Sequence, residues 1–205
     1  KEMELFRNDI PLKDKKITAE VCVHHLHFTN EDYETKGSLI KWNPAVKTET
    51  DKNGLWEALL DDRIDVIATD HAPHTLEEKS NKYLSCPSGA PLVQYSLPVM
   101  FEYFKKGKIS LEKVVEKMCH NPAILYKNKK RGYIKEGYKA DLVIINPNAE
   151  ITVSKENILS KCGWSPLENE TFHSEITHTF VNGFLAYENG KVSPEKHGER
   201  LLFER

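Results

Sequence analysis

The sequence predicts an α/β fold that is followed by a small β-rich module. Two stretches of β-strand character, residues 17–28 and 63–70, flank a stretch of helical periodicity at 51–61. This strand–helix–strand order implies a parallel sheet. After residue 130 the helical pattern gives way to short strands and glycine turns, and we place a boundary there, between residues 1–130 and 131–205.

The first strand alternates between an apolar face and a polar face. The polar face carries Thr18, Glu20, Cys22 and His24. An ordinary outer strand does not favour this set beside branched and aromatic residues, so the face is a candidate for function. The loop that follows contains the turn signal Asn43-Pro44.

Helices are predicted after the second strand and a Gly/Pro-rich loop at 85–91. The first covers 92–107 and ends at a glycine. The second covers 111–119, with Ser110 as its N-cap. Asn121-Pro122 marks a further helix start, because proline suits the first helical position.

The last third of the chain is predicted to be β-rich. Residues 131–147 read as two short strands around a glycine turn, and 149–153 as another strand. Asn182-Gly183 within 178–192 is a hairpin signal.

Composition excludes several classes of protein. The 29 Lys and Arg against 31 Asp and Glu give a net charge of −2, which offers no basic surface for nucleic acid. No apolar run reaches the ~18 residues that a membrane span needs. The four cysteines form no CxxC pair, which argues against a zinc knuckle or a disulfide framework. We therefore expect a cytoplasmic protein with reduced thiols.

Asp70 directly follows the second strand, where ligands bind in parallel α/β folds. A carboxylate there can bind a divalent metal ion and accept a proton from water. The alternative is an Asx turn that starts the next segment. His71 and His74 are likewise open to two interpretations, as surface residues of a turn or as ligands of the site. The polar cluster of Glu20, His24 and His25 on the neighbouring strand favours a site.

Four segments, "EVCVHHLHF", "IKWNPAVK", "IDVIATDHAPHTLEEK" and "NPAILY…GYIKEGYKADLVIINP", together resemble the dihydroorotases of the cyclic amidohydrolase family. "DHAPHTLEEK" is specific, since related hydantoinases and allantoinases usually differ after the aspartate and the following histidine. The resemblance implies the C-terminal part of a (β/α)8 TIM-type barrel, with its last two strands and helices, beside a small β-rich domain. It also implies a zinc-dependent hydrolase that reversibly cyclises N-carbamoyl-L-aspartate to L-dihydroorotate in pyrimidine biosynthesis.

The resemblance also implies roles for single residues. Asp70 corresponds to the last zinc ligand and the general base and acid. His74 and Asn43 correspond to substrate-binding residues, although Asn-Pro is also a common turn. The backbone of Ser88 and Gly89 corresponds to a loop that contacts substrate, in a segment that departs from the usual pattern. The positions expected to support the metal centre are Glu20, His25 and His71.

The remaining ligands of a centre with one or two zinc ions, on earlier strands, are not found in this sequence, and a barrel needs ~250 residues. We therefore expect a C-terminal portion that neither holds zinc tightly nor catalyses alone. Its expected partners are the N-terminal remainder of the barrel, the small substrate and a second copy of the protein. Two alternatives stay open: a hydantoinase or allantoinase, and a catalytically silent scaffold subunit.

Overall fold

The structure is a computed structural model, and it describes residues 2–204. In chain order the helices and strands of the first 130 residues are β1 (Glu20–Cys22), α1 (Val23–His27), α2 (Tyr33–Lys36), α3 (Glu49–Leu60), β2 (Val66–Ala68), α4 (Leu76–Lys79), α5 (Ser96–Lys105), α6 (Leu111–Val115) and α7 (Asn121–Leu125). Short 3-10 turns lie at Glu2–Leu5, Leu12–Asp14, Asn30–Asp32 and Gly37–Ile40.

β1 and β2 pair in parallel, with Glu20 opposite Val66 and Cys22 opposite Ala68. Helix α3 lies between them in sequence, and the capping box of Thr48 and Asp51 fixes its start. The predicted strand–helix–strand unit with parallel pairing is confirmed.

The first strand is much shorter than the predicted range of 17–28. Only Glu20–Cys22 is a strand, and the chain then turns into helix α1. Tertiary contacts favour the helix, because the Leu26 carbonyl accepts hydrogen bonds from the Trp56 indole (3.0 Å) and the Tyr103 hydroxyl (3.1 Å). These contacts override the β propensity of the alternating residues.

The helical part differs from the prediction at two places. Helix α5 begins at Ser96, later than the predicted start at residue 92. Helix α7 begins at Asn121 with Pro122 in its first turn, as predicted, but a π-helical turn at Glu116–His120 replaces the end of the helix predicted at 111–119 and joins α6 to α7. Proline lacks an N–H group and collides with the carbonyl four residues earlier, and a wider turn relieves both problems.

The last third contains β3 (Leu142–Asn146), β4 (Ile151–Thr152), β5 (Thr171–Phe172), β6 (Glu175–Val181), β7 (Phe184–Glu188) and β8 (Lys191–Val192). An antiparallel sheet has the order β3-β6-β7-β8, and β4 pairs with β5. The predicted hairpin is confirmed, since Asn182 and Gly183 have φ of 54° and 87° and join β6 to β7.

The strand predicted at the beginning of 131–147 is wrong. Arg131 binds the carboxylate of Asp141 and the side chain of Asn182 (2.6 Å). Side-chain contacts, and not a strand ladder, therefore hold this stretch against the hairpin turn. The strand predicted at 149–153 is confirmed as β4.

The buried core lies between the parallel strands and the surrounding helices. It includes Val153, Trp164, Leu167 and Phe172, which belong to the segment from β4 to β5. Within residues 2–204 the four-stranded sheet contributes no member to this core, and every position of β6 is only half-buried. No helix within 2–204 combines the length and apolarity that crossing a bilayer requires.

Candidate active site at the ends of the parallel strands

Asp70 lies two residues beyond β2 and is exposed. Its φ of 46° is in the left-handed region, which aspartate tolerates better than most residues. Within residues 2–204 its carboxylate accepts no hydrogen bond. The structure therefore does not contain the Asx turn considered above, and the carboxylate oxygens are free to meet a ligand.

Two histidines follow the neighbouring strand β1. Their rings meet edge to face at 4.1 Å, and the His24 ring stacks on Trp42 at 4.2 Å. His24 Nδ1 and His25 Nε2 are buried without a hydrogen-bond partner in the described part of the chain. Buried polar atoms are nearly always paired, so these two ring nitrogens, and the Trp42 indole nitrogen beside them, are available to a further partner.

Burial keeps both rings neutral. It lowers the pKa of His24 to about 3, with a further contribution from His25 and an opposing one from the backbone of Thr69. Burial also lowers the pKa of His25, helped by Lys47 and opposed by Asp70. Neutral imidazole is the form that binds metal ions.

The charge of Asp70 reaches the end of β1. Burial raises the pKa of the Cys22 thiol to about 12, and the carboxylates of Asp70 and Glu20 raise it further. The two strand ends therefore form one electrostatic cluster. Glu20 is exposed at the beginning of β1, two residues before Cys22.

These residues fit part of a metal site. The orphaned nitrogens of His24 and His25 and the unbonded carboxylate of Asp70 are suitable donors. However, residues 2–204 contain no group of three or more His, Cys, Asp or Glu side chains that could hold a metal ion. A complete coordination shell for a metal ion therefore needs donors from outside residues 2–204.

The two histidines after Asp70 hold their loop in place. His71 Nδ1 accepts hydrogen bonds from the amides of Leu92 (3.0 Å) and Val93 (3.2 Å). His74 Nε2 donates to the Ser88 carbonyl at 3.1 Å. The loop after β2 is thus bonded directly to the Gly/Pro-rich loop, and it brings His74 and Ser88 together.

Gly89 is required where the two loops touch. Its φ is 121°, and a Cβ placed there would lie 2.5 Å from the Ala72 carbonyl oxygen. Its amide donates to the Lys41 carbonyl at 2.9 Å, so this N–H is already occupied. Among the described residues no partner takes the N–H of Ser88.

Asn43 is exposed in the loop that begins at Lys41. Its neighbour Trp42 is buried against His24, and Lys41 is bonded to Gly89. The Asn-Pro loop, the Gly/Pro-rich loop and the loop of Asp70 therefore meet at one edge of the two-stranded sheet.

A cavity of about 520 Å³ lies between the α/β region and the antiparallel sheet. Most of its lining is apolar, and of the candidate residues only His71 borders it. The cavity does not contain Asp70 or the two histidines of α1, so we do not assign the chemistry to it.

The sequence places His24 in the polar cluster but indicates no role for it or for Lys79. His24 stands in a His-His pair directly after a polar strand face, which is a usable signal. Lys79 carries no comparable signal, because its burial depends on how the loops fold over it.

Known proteins resemble this chain over most of its length. The sequence profile of the amidohydrolase family matches residues 8–186. The chain is 35% identical to a dihydroorotase of Pyrococcus abyssi, with 92% of this chain and 45% of that protein covered. It is 38% identical to a dihydroorotase of Clostridioides difficile over 83% of this chain and 40% of that protein.

Among solved structures, the L-hydantoinase (dihydropyrimidinase) of Arthrobacter aurescens superposes with a TM-score of 0.86 at 29% identity. The superposition covers 94% of this chain and 44% of the hydantoinase. This chain thus spans less than half the length of the relatives it matches. The family profile nevertheless matches most of its residues, and the chain belongs to the amidohydrolase family.

Proposed function

We propose that this chain is part of a dihydroorotase, which interconverts N-carbamoyl-L-aspartate and L-dihydroorotate in pyrimidine (UMP) biosynthesis. One observation carries the proposal: the unbonded carboxylate of Asp70 lies at the same sheet edge as the orphaned ring nitrogens of His24 and His25. The names of the curated relatives add the substrate, since those proteins are dihydroorotases.

In this proposal residues 1–130 are the C-terminal part of a (β/α)8 barrel and 131–205 a small β-rich domain. The parallel pair β1–β2 supports the barrel part, because parallel strands with an intervening helix are its repeating unit. The N-terminal remainder of the barrel is the expected partner. Accessible sheet faces support this expectation, with Val143, Ile144 and Phe184 about half exposed.

Zinc is the proposed cofactor, as one or two ions. Asp70 would supply one donor and a histidine of α1, His24 or His25, another, and the remaining donors would come from the rest of the barrel, since the described residues hold no group of three. Bound zinc lowers the pKa of water and polarises a carbonyl group. In the full-length protein, Asp70→Asn and one of His24→Gln and His25→Gln should reduce the zinc content measured by mass spectrometry. Wild-type zinc content in all three variants would contradict the assignment of Asp70 and a histidine of α1 as zinc ligands.

Asp70 also carries the proton in the proposed reaction. During ring opening its carboxylate takes a proton from the attacking water and delivers it to the amide nitrogen that leaves. Ring closure runs the same transfers in reverse. Its lack of a hydrogen-bond partner within residues 2–204 suits a group that must exchange a proton.

Binding and orientation of substrate fall to the loops around Asp70. We assign the substrate carboxylate to His74 and a further polar contact to Asn43. From the Gly/Pro-rich loop the contact comes through the N–H of Ser88, because Lys41 already occupies the N–H of Gly89. Gly89 serves by allowing the loops to approach.

The alternatives are a hydantoinase or allantoinase, and a silent scaffold. The superposition on an L-hydantoinase favours the first, although the curated relatives named here are dihydroorotases. We test these by comparing kcat/KM for dihydroorotate, hydantoin and allantoin with the full-length protein. Preference for dihydroorotate supports the proposal, preference for another ring supports the alternative, and no turnover in a zinc-loaded protein supports the scaffold. A cytoplasmic location and a homodimer also remain proposals.

A further inference from the structure

Lys79 is a buried lysine with an unusual set of partners. Its side chain is fully buried, with 0% exposed surface. Its ammonium group donates to three main-chain carbonyl oxygens, those of Gly89 (2.9 Å), Pro87 (3.0 Å) and Lys41 (3.3 Å). A lysine ammonium has three N–H donors, so all of them are used.

The partners belong to two separate loops. Pro87 and Gly89 flank Ser88 in the Gly/Pro-rich loop, and Lys41 lies two residues before Asn43. Lys79 itself is the last residue of α4, and His74 lies just before the N-cap of this helix. One buried cation therefore joins the three segments that carry the proposed substrate contacts.

Local structure directs Lys79 inward. The capping box of Thr75 and Glu78 fixes the start of α4. The Ser38 hydroxyl donates to the Lys79 carbonyl, and the ammonium lies 6.0 Å from the centre of the Trp164 ring. The Trp164 indole in turn donates to the His74 carbonyl at 2.7 Å.

Burying a charge without a carboxylate partner costs free energy, so we expect the buried ammonium group to have a structural role that offsets this cost. Burial lowers the pKa of Lys79, as this cost requires. A neutral side chain of similar length would fill the same space. It would also leave the carbonyls of Pro87 and Gly89 without their donor. The role that offsets the cost is to fix the distance between the Asn43 loop and the Ser88–Gly89 loop.

We propose that Lys79 is a positioning residue, which clamps the Asn43 loop to the Ser88–Gly89 loop and so sets the substrate-binding geometry. This inference rests on the proposed function for the identity of the substrate. The clamp itself depends only on contacts within this chain.

Lys117 is a matched control. Its side chain is 1% exposed, and its ammonium donates to the Ile64 carbonyl (2.7 Å) and pairs with Asp62 (2.8 Å). Its ammonium group contacts residues that precede β2, so it lies at the end of this strand opposite to Asp70. Lys79→Met and Lys117→Met thus each remove one fully buried ammonium group, but only the first touches the proposed binding loops.

The first measurement is hydrogen exchange of the backbone amides in this chain. Lys79→Met should raise the exchange rate of the Gly89 amide at least tenfold more than Lys117→Met does. Unchanged exchange at Gly89 in Lys79→Met, or an equal rise in both variants, would overturn the clamp. This result is independent of activity, so it separates failure of the clamp from failure of the proposed function.

The second measurement uses the full-length enzyme and dihydroorotate. Loss of preformed binding geometry raises KM and leaves kcat nearly unchanged, and we expect a rise of about tenfold or more in Lys79→Met. Lys117→Met should keep the wild-type KM. A wild-type KM in Lys79→Met, or equal changes in both variants, would contradict the proposal.

If Lys79→Met does not fold, the wild-type chain still tests the clamp. Lysine ammonium protons that are buried and hydrogen-bonded exchange slowly enough to be seen by NMR. The ammonium groups of Lys117 and Lys15 are also buried and hydrogen-bonded, so the Lys79 signal is the one that persists in both Lys117→Met and Lys15→Met. Absence of a protected signal that persists in both variants would overturn the proposal.

Discussion

Replacing Gly89 with alanine is the sharpest single perturbation of the site. The added Cβ would lie 2.5 Å from the Ala72 carbonyl oxygen and 2.8 Å from the Ala72 Cβ, and the φ of 121° already disfavours any side chain. Since the contact involves backbone atoms, no rotamer change can relieve it. One of the two loops must move.

Two costs add to give the expected magnitude. Holding a residue with a side chain in this φ region costs about 1–3 kcal/mol. Forcing an extra methyl group into a packed contact costs a further ~1–3 kcal/mol. We therefore expect Gly89→Ala to lower the free energy of unfolding by about 2–6 kcal/mol.

Two other glycines separate these costs. Gly107 has a φ of 71° but open space around its Cβ position, so Gly107→Ala measures strain alone. Gly54 lies inside α3 with open space, so Gly54→Ala should stabilise the chain by up to about 1 kcal/mol. Urea unfolding of the three variants gives the comparison. Equal stability of Gly89→Ala and Gly107→Ala would refute the close contact between the loops.

Three further predictions concern the surroundings of the site. Trp164→Phe removes the indole bond to the His74 carbonyl and should cost about 1–3 kcal/mol in urea unfolding, whereas unchanged stability would contradict that bond. Burial alone would raise the pKa of Glu170, but a histidine and a lysine outweigh it and the pKa is lowered. Because the folded-state pKa is depressed, this stabilisation is present above the unfolded value of about 4.3 and is lost as the pH falls. Wild type should therefore lose stability faster than Glu170→Gln between about pH 5 and pH 3, and parallel curves would show that the ion pairs contribute nothing. Cys22, with its pKa of about 12, should react slowly with iodoacetamide at pH 8, and Asp70→Asn should speed the reaction; equal rates would separate the two groups.

The sequence predicts the part of this fold that depends on local pattern. The helix predicted at 51–61 from its periodicity is observed at Glu49–Leu60, and the hairpin at Asn182-Gly183 follows from the backbone conformation that its turn requires. The helix at residues 23–27, where the local pattern predicts a strand, could not be predicted from neighbouring residues alone. It depends on contacts of Leu26 with Trp56 and Tyr103, which lie 30 and 77 residues away.

The site divides in the same way. Asp70 was identifiable because a strand ends just before it, and its role as a candidate does not depend on distant residues. Trp42 and Lys79 gain their significance only from packing, through a ring stack on His24 and three carbonyl contacts. Such convergence of separate loops is a property of the folded chain, and periodicity carries no information about it.

The central claim is that this chain supplies one part of an active site that earlier barrel strands complete. Its direct test is dihydroorotate turnover by a chimera in which this chain replaces the matching 45% of the Pyrococcus abyssi dihydroorotase. We expect turnover that requires zinc, falls about 10²–10⁴-fold in Asp70→Asn and is absent from this chain alone. A folded, zinc-loaded chimera without activity, or turnover by this chain alone, would contradict the claim.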